Sequence, residues 1–240
     1  YNQLSSNMRY MNRFTYMSGN PDLKPETIHD LTLSGSYKWL QFMISYQREK
    51  DAILYITEQY KKNPAITTVT HRNFNRIDNF SAFLTASPAV GSWHPQLTVG
   101  VQKQWAKIEH NGETLQMDTP LFFCTLNNGI QLPYHWTLST DINFQSKGDY
   151  QNIYMYQNVF MMNATLTKSF LNEHLSIHLQ GIDLTHGRKD GNRIYNKHMN
   201  MDVANVSDSR ELRFTIRYKF NTAKSKYKGK GAATEEIKRL

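Results

Sequence analysis

Residues 210–220 decide the fold, because apolar and polar side chains alternate along them without interruption. The stretch reads Arg210-Glu211-Leu212-Arg213-Phe214-Thr215-Ile216-Arg217-Tyr218-Lys219-Phe220. Successive side chains of a β-strand point to opposite faces, so one face of this strand is apolar and the other is charged. The apolar face ends in Tyr218 and Phe220, as a strand does where it leaves a bilayer at the interface. Strands of soluble sandwiches also alternate, so the rest of the chain must decide between the two.

The same alternation recurs between turn signals along the whole chain. It predicts strands over residues 29–39, 41–57, 66–85, 96–107, 119–132, 136–145, 154–170, 174–182 and 210–220. Short turns are predicted near residues 40, 90, 134 and 172, and long connections near 61, 111, 149 and 183–209. Tight periplasmic turns and longer outer loops alternate in this way in outer-membrane barrels. We therefore predict an all-β fold, an antiparallel up-and-down transmembrane β-barrel segment that supplies about nine strands of a larger barrel.

The length of the second strand supports the membrane interpretation. Residues 41–57 would extend over roughly 55 Å at about 3.3 Å per residue, which is long for a soluble domain. A bilayer needs only about 9–11 tilted residues of each strand. We expect the apolar part near residues 42–46 to cross the bilayer and the charged residues 48–51 to stand above it.

Composition removes several other classes of function. The net charge is +8 with a pI near 9.4, but the basic residues are dispersed and no recognition helix or RNA-binding signature is present. We therefore predict no nucleic-acid partner. The single cysteine, Cys124, excludes an internal disulfide. No run of 18 apolar residues is present, so no transmembrane helix is predicted.

The histidines and the glycine-rich stretches do not indicate a catalytic or metal site. His174 and His178 share one face of a strand at roughly 13 Å, too far apart for one ion. No Ser-His-Asp spacing, nucleophile elbow or phosphate loop is present, and Gly187-Arg188-Lys189-Asp190-Gly191 is interpreted as a loop tip. We predict no catalytic residue, no metal site and no cofactor.

Three tyrosines are the candidate ligand-binding residues. Tyr150, Tyr154 and Tyr156 are predicted to lie on one outer loop. Their rings could stack on a sugar or on a haem-like ligand. The alternative, that they are membrane-interface aromatics, is the more common role of such residues in a barrel.

The turn before the first long strand resembles a known family. Residues 19–26 read Gly19-Asn20-Pro21-Asp22-Leu23-Lys24-Pro25-Glu26. They resemble the Asn-Pro-x-Leu-x-Pro-Glu turn that precedes a downward strand in TonB-dependent outer-membrane receptors. The lysine-rich tail from residue 224 to 240 is similar to the extension of a subfamily of outer-membrane β-barrel receptors. By this resemblance, the chain is the C-terminal part of such a receptor.

The resemblance implies a large barrel of about 22 strands with a plugged lumen. It implies energised import from the outer membrane of a Gram-negative bacterium, with ligand bound by the plug and the outer loops. The implied partners are outer-membrane lipid, the chain's own N-terminal plug and missing barrel strands, TonB through that plug, and a surface lipoprotein. Residues 1–220 would form the C-terminal part of the barrel and residues 221–240 a periplasmic tail.

Two hypotheses of different class follow. The leading one is a barrel fragment of a receptor that imports an unidentified nutrient ligand, since the chain begins without Met and resembles the middle of a longer one. The alternative is a non-transporting barrel, either an adhesin or a structural protein, and an outer-membrane enzyme comes third. We also expect residues 210–220 to pair with residues 174–182, and their other edge to be either unpaired or closed onto residues 1–18.

Overall fold

The computed structural model describes residues 3–197, 200–206 and 208–220. Within these residues the chain forms sixteen β-strands and no helix. In chain order they are β1 (Met8–Asn12), β2 (Thr15–Ser18), β3 (Thr27–Tyr37), β4 (Leu40–Gln59), β5 (Thr67–Ala86), β6 (Trp93–His110), β7 (Glu113–Met117), β8 (Leu121–Leu132), β9 (Trp136–Gln145), β10 (Gly148–Tyr150), β11 (Ile153–Met155), β12 (Val159–Phe170), β13 (Leu175–Ile182), β14 (Lys189–Tyr195), β15 (Asn200–Val206) and β16 (Glu211–Tyr218).

Nine of these strands form a continuous antiparallel meander, which confirms the predicted fold class. Each pairs with its neighbour in the order β3, β4, β5, β6, β8, β9, β12, β13 and β16. The predicted pairing of the last strand is also confirmed, with Leu175 opposite Tyr218 and Ile182 opposite Glu211. Within the described residues β3 pairs only with β4 and β16 only with β13, so the barrel is not closed.

Three predictions about the middle and the last loop of the chain were wrong. Residues 154–170 do not form one strand, because β11 leaves the meander to pair with β14. The supposed loops at 146–152 and 183–209 contain β10, β14 and β15, which join β11 in a second, four-stranded sheet. The stretch 187–191 is not a loop tip, since β14 begins at Lys189. β10 and β11 are only three residues long, and β11 pairs with β14, which is distant in sequence, so alternation alone does not reveal the second sheet.

The lower meander, nearest the short turns, separates apolar from polar side chains by face. Side chains of residues that are paired across neighbouring strands lie on the same face of the sheet. The paired residues therefore form rows across the strands, and one face carries long apolar rows such as Leu138, Leu166, Leu179 and Phe214. Leu33 on this face is 62% exposed and Phe214 is 62% exposed. We call it the outer face, because large apolar side chains open to the surroundings are what a lipid-facing barrel wall presents.

The opposite face of the lower meander is polar, as the wall of a barrel lumen is. Here the Thr85 and Thr98 hydroxyls lie 2.9 Å apart. One ladder row places Asn127 beside Asp141 and Asp141 beside Asn163. We call this the lumen face.

Aromatic side chains border the outer face at both ends. The upper girdle consists of Tyr46, Phe80, Trp105, Phe122 and Phe160, and the lower girdle consists of Tyr37, Trp93, Trp136, Phe170 and Tyr218. On β12 the two girdles are ten residues apart, which is about 33 Å of strand and about 25 Å of height at a tilt near 40°. That height matches the apolar band of a transmembrane barrel.

The N-terminal strands stand outside the meander. β1 and β2 form a hairpin, and β2 adds in parallel to the upper edge of β5 with Thr15 opposite Thr67. The predicted periplasmic tail, residues 221–240, lies outside the described residues.

Candidate ligand-binding platform

The two faces of β4 exchange roles at Asp51. Asp51 has a φ of +54°, a left-handed conformation that re-aims the strand. The ladder skips the pair formed by Asp51 and Asn75 and resumes with Ala52 opposite Phe74. Below Asp51 the even-numbered side chains of β4 lie on the outer face. Above it, Ala52 and Leu54 pack with lumen-face residues of the neighbouring strands.

We call the parts of β4, β5 and β6 above the level of Asp51 the upper tier, and the parts of the meander below it the lower tier. The inner face of the upper tier is a hydrophobic core. It consists of Ala52, Leu54, Ile77, Ala106, Ile108 and Met117, each at most 3% exposed. Tyr154 of β11 and Tyr195 of β14 pack against it. The second sheet therefore lies on the lumen side of β4, β5 and β6, above the level of the bilayer. We call the upper parts of these three strands together with the second sheet the platform.

Buried amides attach the second sheet to the meander. The Gln104 side chain donates to the carbonyl of Gln151 at 2.8 Å and accepts from its N–H at 2.6 Å. Asn152 Nδ2 donates to the carbonyl of Tyr55 at 2.8 Å. Asn196 Oδ1 accepts from the Thr57 N–H at 2.7 Å. Because these side chains are almost fully buried, each bond satisfies a polar group that would otherwise be costly to desolvate.

Asp183 connects the two ends of the segment between β13 and β16, which contains β14 and β15. Its carboxylate accepts from the N–H groups of Gly187 at 2.8 Å and Arg188 at 3.3 Å, and from the hydroxyl of Ser209. Burial of this carboxyl raises its pKa, but the hydrogen bonds together have the larger effect, and the pKa of Asp183 lies below its ordinary value. The Asp183 carboxylate therefore holds the start and the end of this segment together by hydrogen bonds.

A groove opens where the upper parts of β5 and β6 separate. Their ladder ends at Ile77 and Ala106, and above this point β6 pairs with β7 instead. The groove has a volume of about 780 Å³ and an apolar floor of Ile56, Phe74 and Ile108.

Charged pairs and amides surround this floor. Arg72 binds Glu58 at 2.6 Å, and Lys197 binds Glu109 at 3.0 Å. All four side chains are about half exposed, so these pairs add little to stability and can be redirected to a ligand. The amide side chains in the wall are Gln59, Asn73, Asn75 and Asn196. An apolar floor with a few convergent polar groups is the usual composition of a ligand site.

The segment 20–26 crosses the β4–β5 hairpin at the level where the faces exchange. Asn20 donates to the carbonyl of His71 at 3.1 Å. The Asn73 side chain accepts from the N–H of Lys24 at 2.8 Å and donates to the carbonyls of Lys24 and Asp51. Glu26 Oε2 accepts from the N–H of Ile53 at 2.9 Å. Glu26 thus supplies an acceptor to β4 beyond Lys50, where its pairing with β3 ends, and Asn73 links the segment to β5.

The three predicted ligand-binding tyrosines lie in or beside the second sheet and do not line the groove. Tyr150 ends β10 and is 40% exposed, whereas Tyr154 packs on the platform core. Tyr156 lies against Gly191, where an added Cβ would come within 2.4 Å of its ring. Packing accounts for the positions of Tyr154 and Tyr156, and ligand binding by the three tyrosines stays a prediction.

The described residues hold no group of three or more His, Cys, Asp or Glu side chains with metal-binding geometry. A search of the same residues for membrane-spanning helices found none.

Comparisons with known proteins agree with this architecture. Residues 1–218 match the family model of the outer membrane protein beta-barrel family. The chain belongs to this family. Its location is therefore the outer membrane, as the aromatic girdles and the apolar outer face already indicate.

One solved structure with a similar shape is the outer membrane transporter YddB from Escherichia coli. The sequence identity is 11% and the TM-score is 0.46, and the match covers 85% of this chain. The barrel segment spans 33% of the length of that structure. A search among curated proteins found no match.

Proposed function

We propose that this chain is the C-terminal barrel part of a TonB-dependent receptor that imports a nutrient ligand through the outer membrane. The platform carries the proposal. It is a folded surface on the lumen side of β4, β5 and β6, above the bilayer, with a groove of about 780 Å³ beside its core. A ligand bound to this surface would lie at the entrance of the lumen, where an importer needs it.

The groove supports binding of a polar ligand with an apolar side. Phe74 and Ile108 offer contact area, and the surrounding amides offer both donors and acceptors. Tyr150, Tyr154 and Tyr156 belong to the same platform and remain candidate contacts. An N-terminal plug, TonB and a surface lipoprotein are the proposed partners, and no catalytic step is proposed.

The resemblance of residues 20–26 to the receptor turn favours transport over adhesion. In this chain Asn20 and Glu26 hold the β4–β5 hairpin at the base of the platform. The motif therefore serves the part of the molecule that would contact a ligand.

The test compares two deletion strains of the source organism, one lacking this gene and one lacking TonB. Both are grown on a panel of single nutrients, and uptake is measured for the nutrient that shows a defect. The proposal expects the same nutrient-specific defect in both strains, restored by wild type and weakened in the Arg72→Ala/Phe74→Ala variant. Normal uptake combined with loss of surface adherence would contradict import and favour the adhesin.

A further inference from the structure

The outer face of β4, β5 and β6 carries a basic patch at and just above the upper girdle. The patch consists of Arg48, Lys50, Arg76 and Lys103. Ladder pairing places Lys50 beside Arg76 and Lys103 beside Phe80, on the face that continues downward into the apolar rows. The rows are about 7 Å apart along each strand, so the four charges lie within the depth of lipid headgroups.

Only part of this charge is neutralised by the protein. Arg48 and Arg76 bind the two oxygens of Asp78, with the Arg48 bond at 2.7 Å. Lys50 and Lys103 take part in no ion pair among the described residues. Lys103 lies over the ring of Trp105, at 5.3 Å from its centroid. Four cations face the carboxylate of Asp78 and that of Asp30, which lies beside Arg48 and Lys50, and two positive charges are left uncompensated at the membrane boundary.

A cavity of about 330 Å³ lies within this patch. His29, Leu31, Tyr46, Arg48 and Lys50 line it together with Asp30. The Asp30 carboxylate accepts hydrogen bonds from the hydroxyls of Thr32 at 2.7 Å and Ser45 at 3.3 Å. Leu31 and Tyr46 thus give the cavity an apolar part, and Arg48, Lys50 and the Asp30 carboxylate give it a charged part with one net positive charge.

The patch is confined to one side of the meander. The outer-face positions of β8, β9, β12 and β13 carry one charged residue, Lys168, which lies at the lower girdle. Nonspecific attraction to a membrane would not require this concentration of charge on β4, β5 and β6. A headgroup with more than one phosphate would match it, because several fixed cations gain most from several negative charges.

We propose that Arg48, Lys50, Arg76 and Lys103 form a binding site for a phosphorylated lipid of the outward-facing leaflet. Phosphate oxygens bind Lys50, Lys103 and the donors of Arg48 and Arg76 that Asp78 leaves available. The acyl chains lie against Leu31, Tyr46 and Phe80 below.

The test is a lipid titration of the full-length protein, followed by native mass spectrometry. The probe is diphosphoryl lipid A, with phosphatidylcholine as the zwitterionic comparison and 10 mM inorganic phosphate as a competitor. The Lys50→Gln/Lys103→Gln variant removes two charges of the patch without breaking the Asp78 pairs. The matched control is Lys38→Gln/Lys168→Gln, since these lysines lie over Tyr37 and Trp136 at the opposite girdle.

We expect the dissociation constant for diphosphoryl lipid A to rise about 25-fold in the patch variant, or about five-fold for each charge removed. It should change less than two-fold in the control, and phosphatidylcholine binding should be equal in all three proteins. An equal loss in patch variant and control, or no loss in either, would overturn the site. Displacement of the lipid by inorganic phosphate would assign it to free anions instead. Heat-modifiable gel mobility confirms that each variant is folded.

Discussion

Below Asp51, β4 turns its apolar side chains away from the lumen, whereas above Asp51 it turns them inward. Phe42 and Ile44 in the lower part are each 42% exposed, but Leu54 in the upper part is 1% exposed. The same strand thus serves two solvents, hydrocarbon below and water above. A strand that leaves a bilayer must bury its apolar residues elsewhere, and here the second sheet supplies the cover.

The largest expected effect concerns the core of the upper tier. Leu54→Ala should destabilise the platform by about 2–5 kcal/mol, because it leaves a cavity among fully buried neighbours. Ile53→Ala, on the opposite face, should cost less because Ile53 is only partly buried. Hydrogen exchange of β11 and β14, measured by mass spectrometry, reports the loss. Equal exchange in the two variants would show that the platform does not depend on this core.

In the lower tier the outer face should be sensitive to substitution by arginine, whereas the lumen face should tolerate it. Phe214→Arg should cost about 2–4 kcal/mol near the bilayer midplane, and Leu138→Arg a similar amount. Thr215→Arg on the lumen face should cost far less. Reversible urea unfolding in phospholipid vesicles measures these differences. If Thr215→Arg proved as costly as Phe214→Arg, the assignment of the lipid face would fail.

The junction between the tiers should weaken when Glu26 is changed. Glu26→Ala removes a charge-assisted acceptor from the Ile53 N–H and should cost about 1–3 kcal/mol at that position. Local hydrogen exchange around Ile53 should accelerate, whereas the lower part of β4 should be unaffected. Glu113→Ala, an exposed carboxylate on β7, serves as the control. No change around Ile53 would show that residues 20–26 do not hold this junction.

A smaller, pH-dependent effect is expected at Asp183. The pKa of Asp183 is lowered in the folded protein. Its ionised carboxylate therefore contributes fully to stability above the pKa of the unfolded chain, near 3.9, and this contribution is lost as the pH falls through the lower pKa of the folded state. Exchange of the Gly187 amide, corrected for its intrinsic rate, should therefore accelerate only below about pH 4. Asp183→Asn should exchange faster at pH 7, and the two proteins should converge in acid. A wild type that loses protection between pH 7 and 5 would contradict this role.

Alternation along the chain predicted the meander but not the platform. The nine long strands follow from period-two patterns such as residues 210–220, and β9 was predicted with its observed bounds. The second sheet escaped prediction because β10 and β11 are only three residues long and the central pair, β11 and β14, is distant in sequence. One signal was available: the run Ile53-Leu54-Tyr55-Ile56 breaks the apolar–polar alternation of the lower part of β4, which marks the change of environment along the strand. The groove joins residues near 57, 73, 108 and 196, and no local pattern connects them.

The exchange of faces at Asp51 is tested most directly by spin labels along β4. Single cysteines from Phe42 to Tyr55, in a Cys124→Ser background, carry a nitroxide, and collisions with oxygen and with a water-soluble nickel complex are measured in bilayers. We expect oxygen accessibility at Phe42, Ile44 and Tyr46, nickel accessibility at Tyr55, and protection from both reagents at Ala52 and Leu54. Continued oxygen or nickel accessibility at Leu54 would contradict the two-tier account.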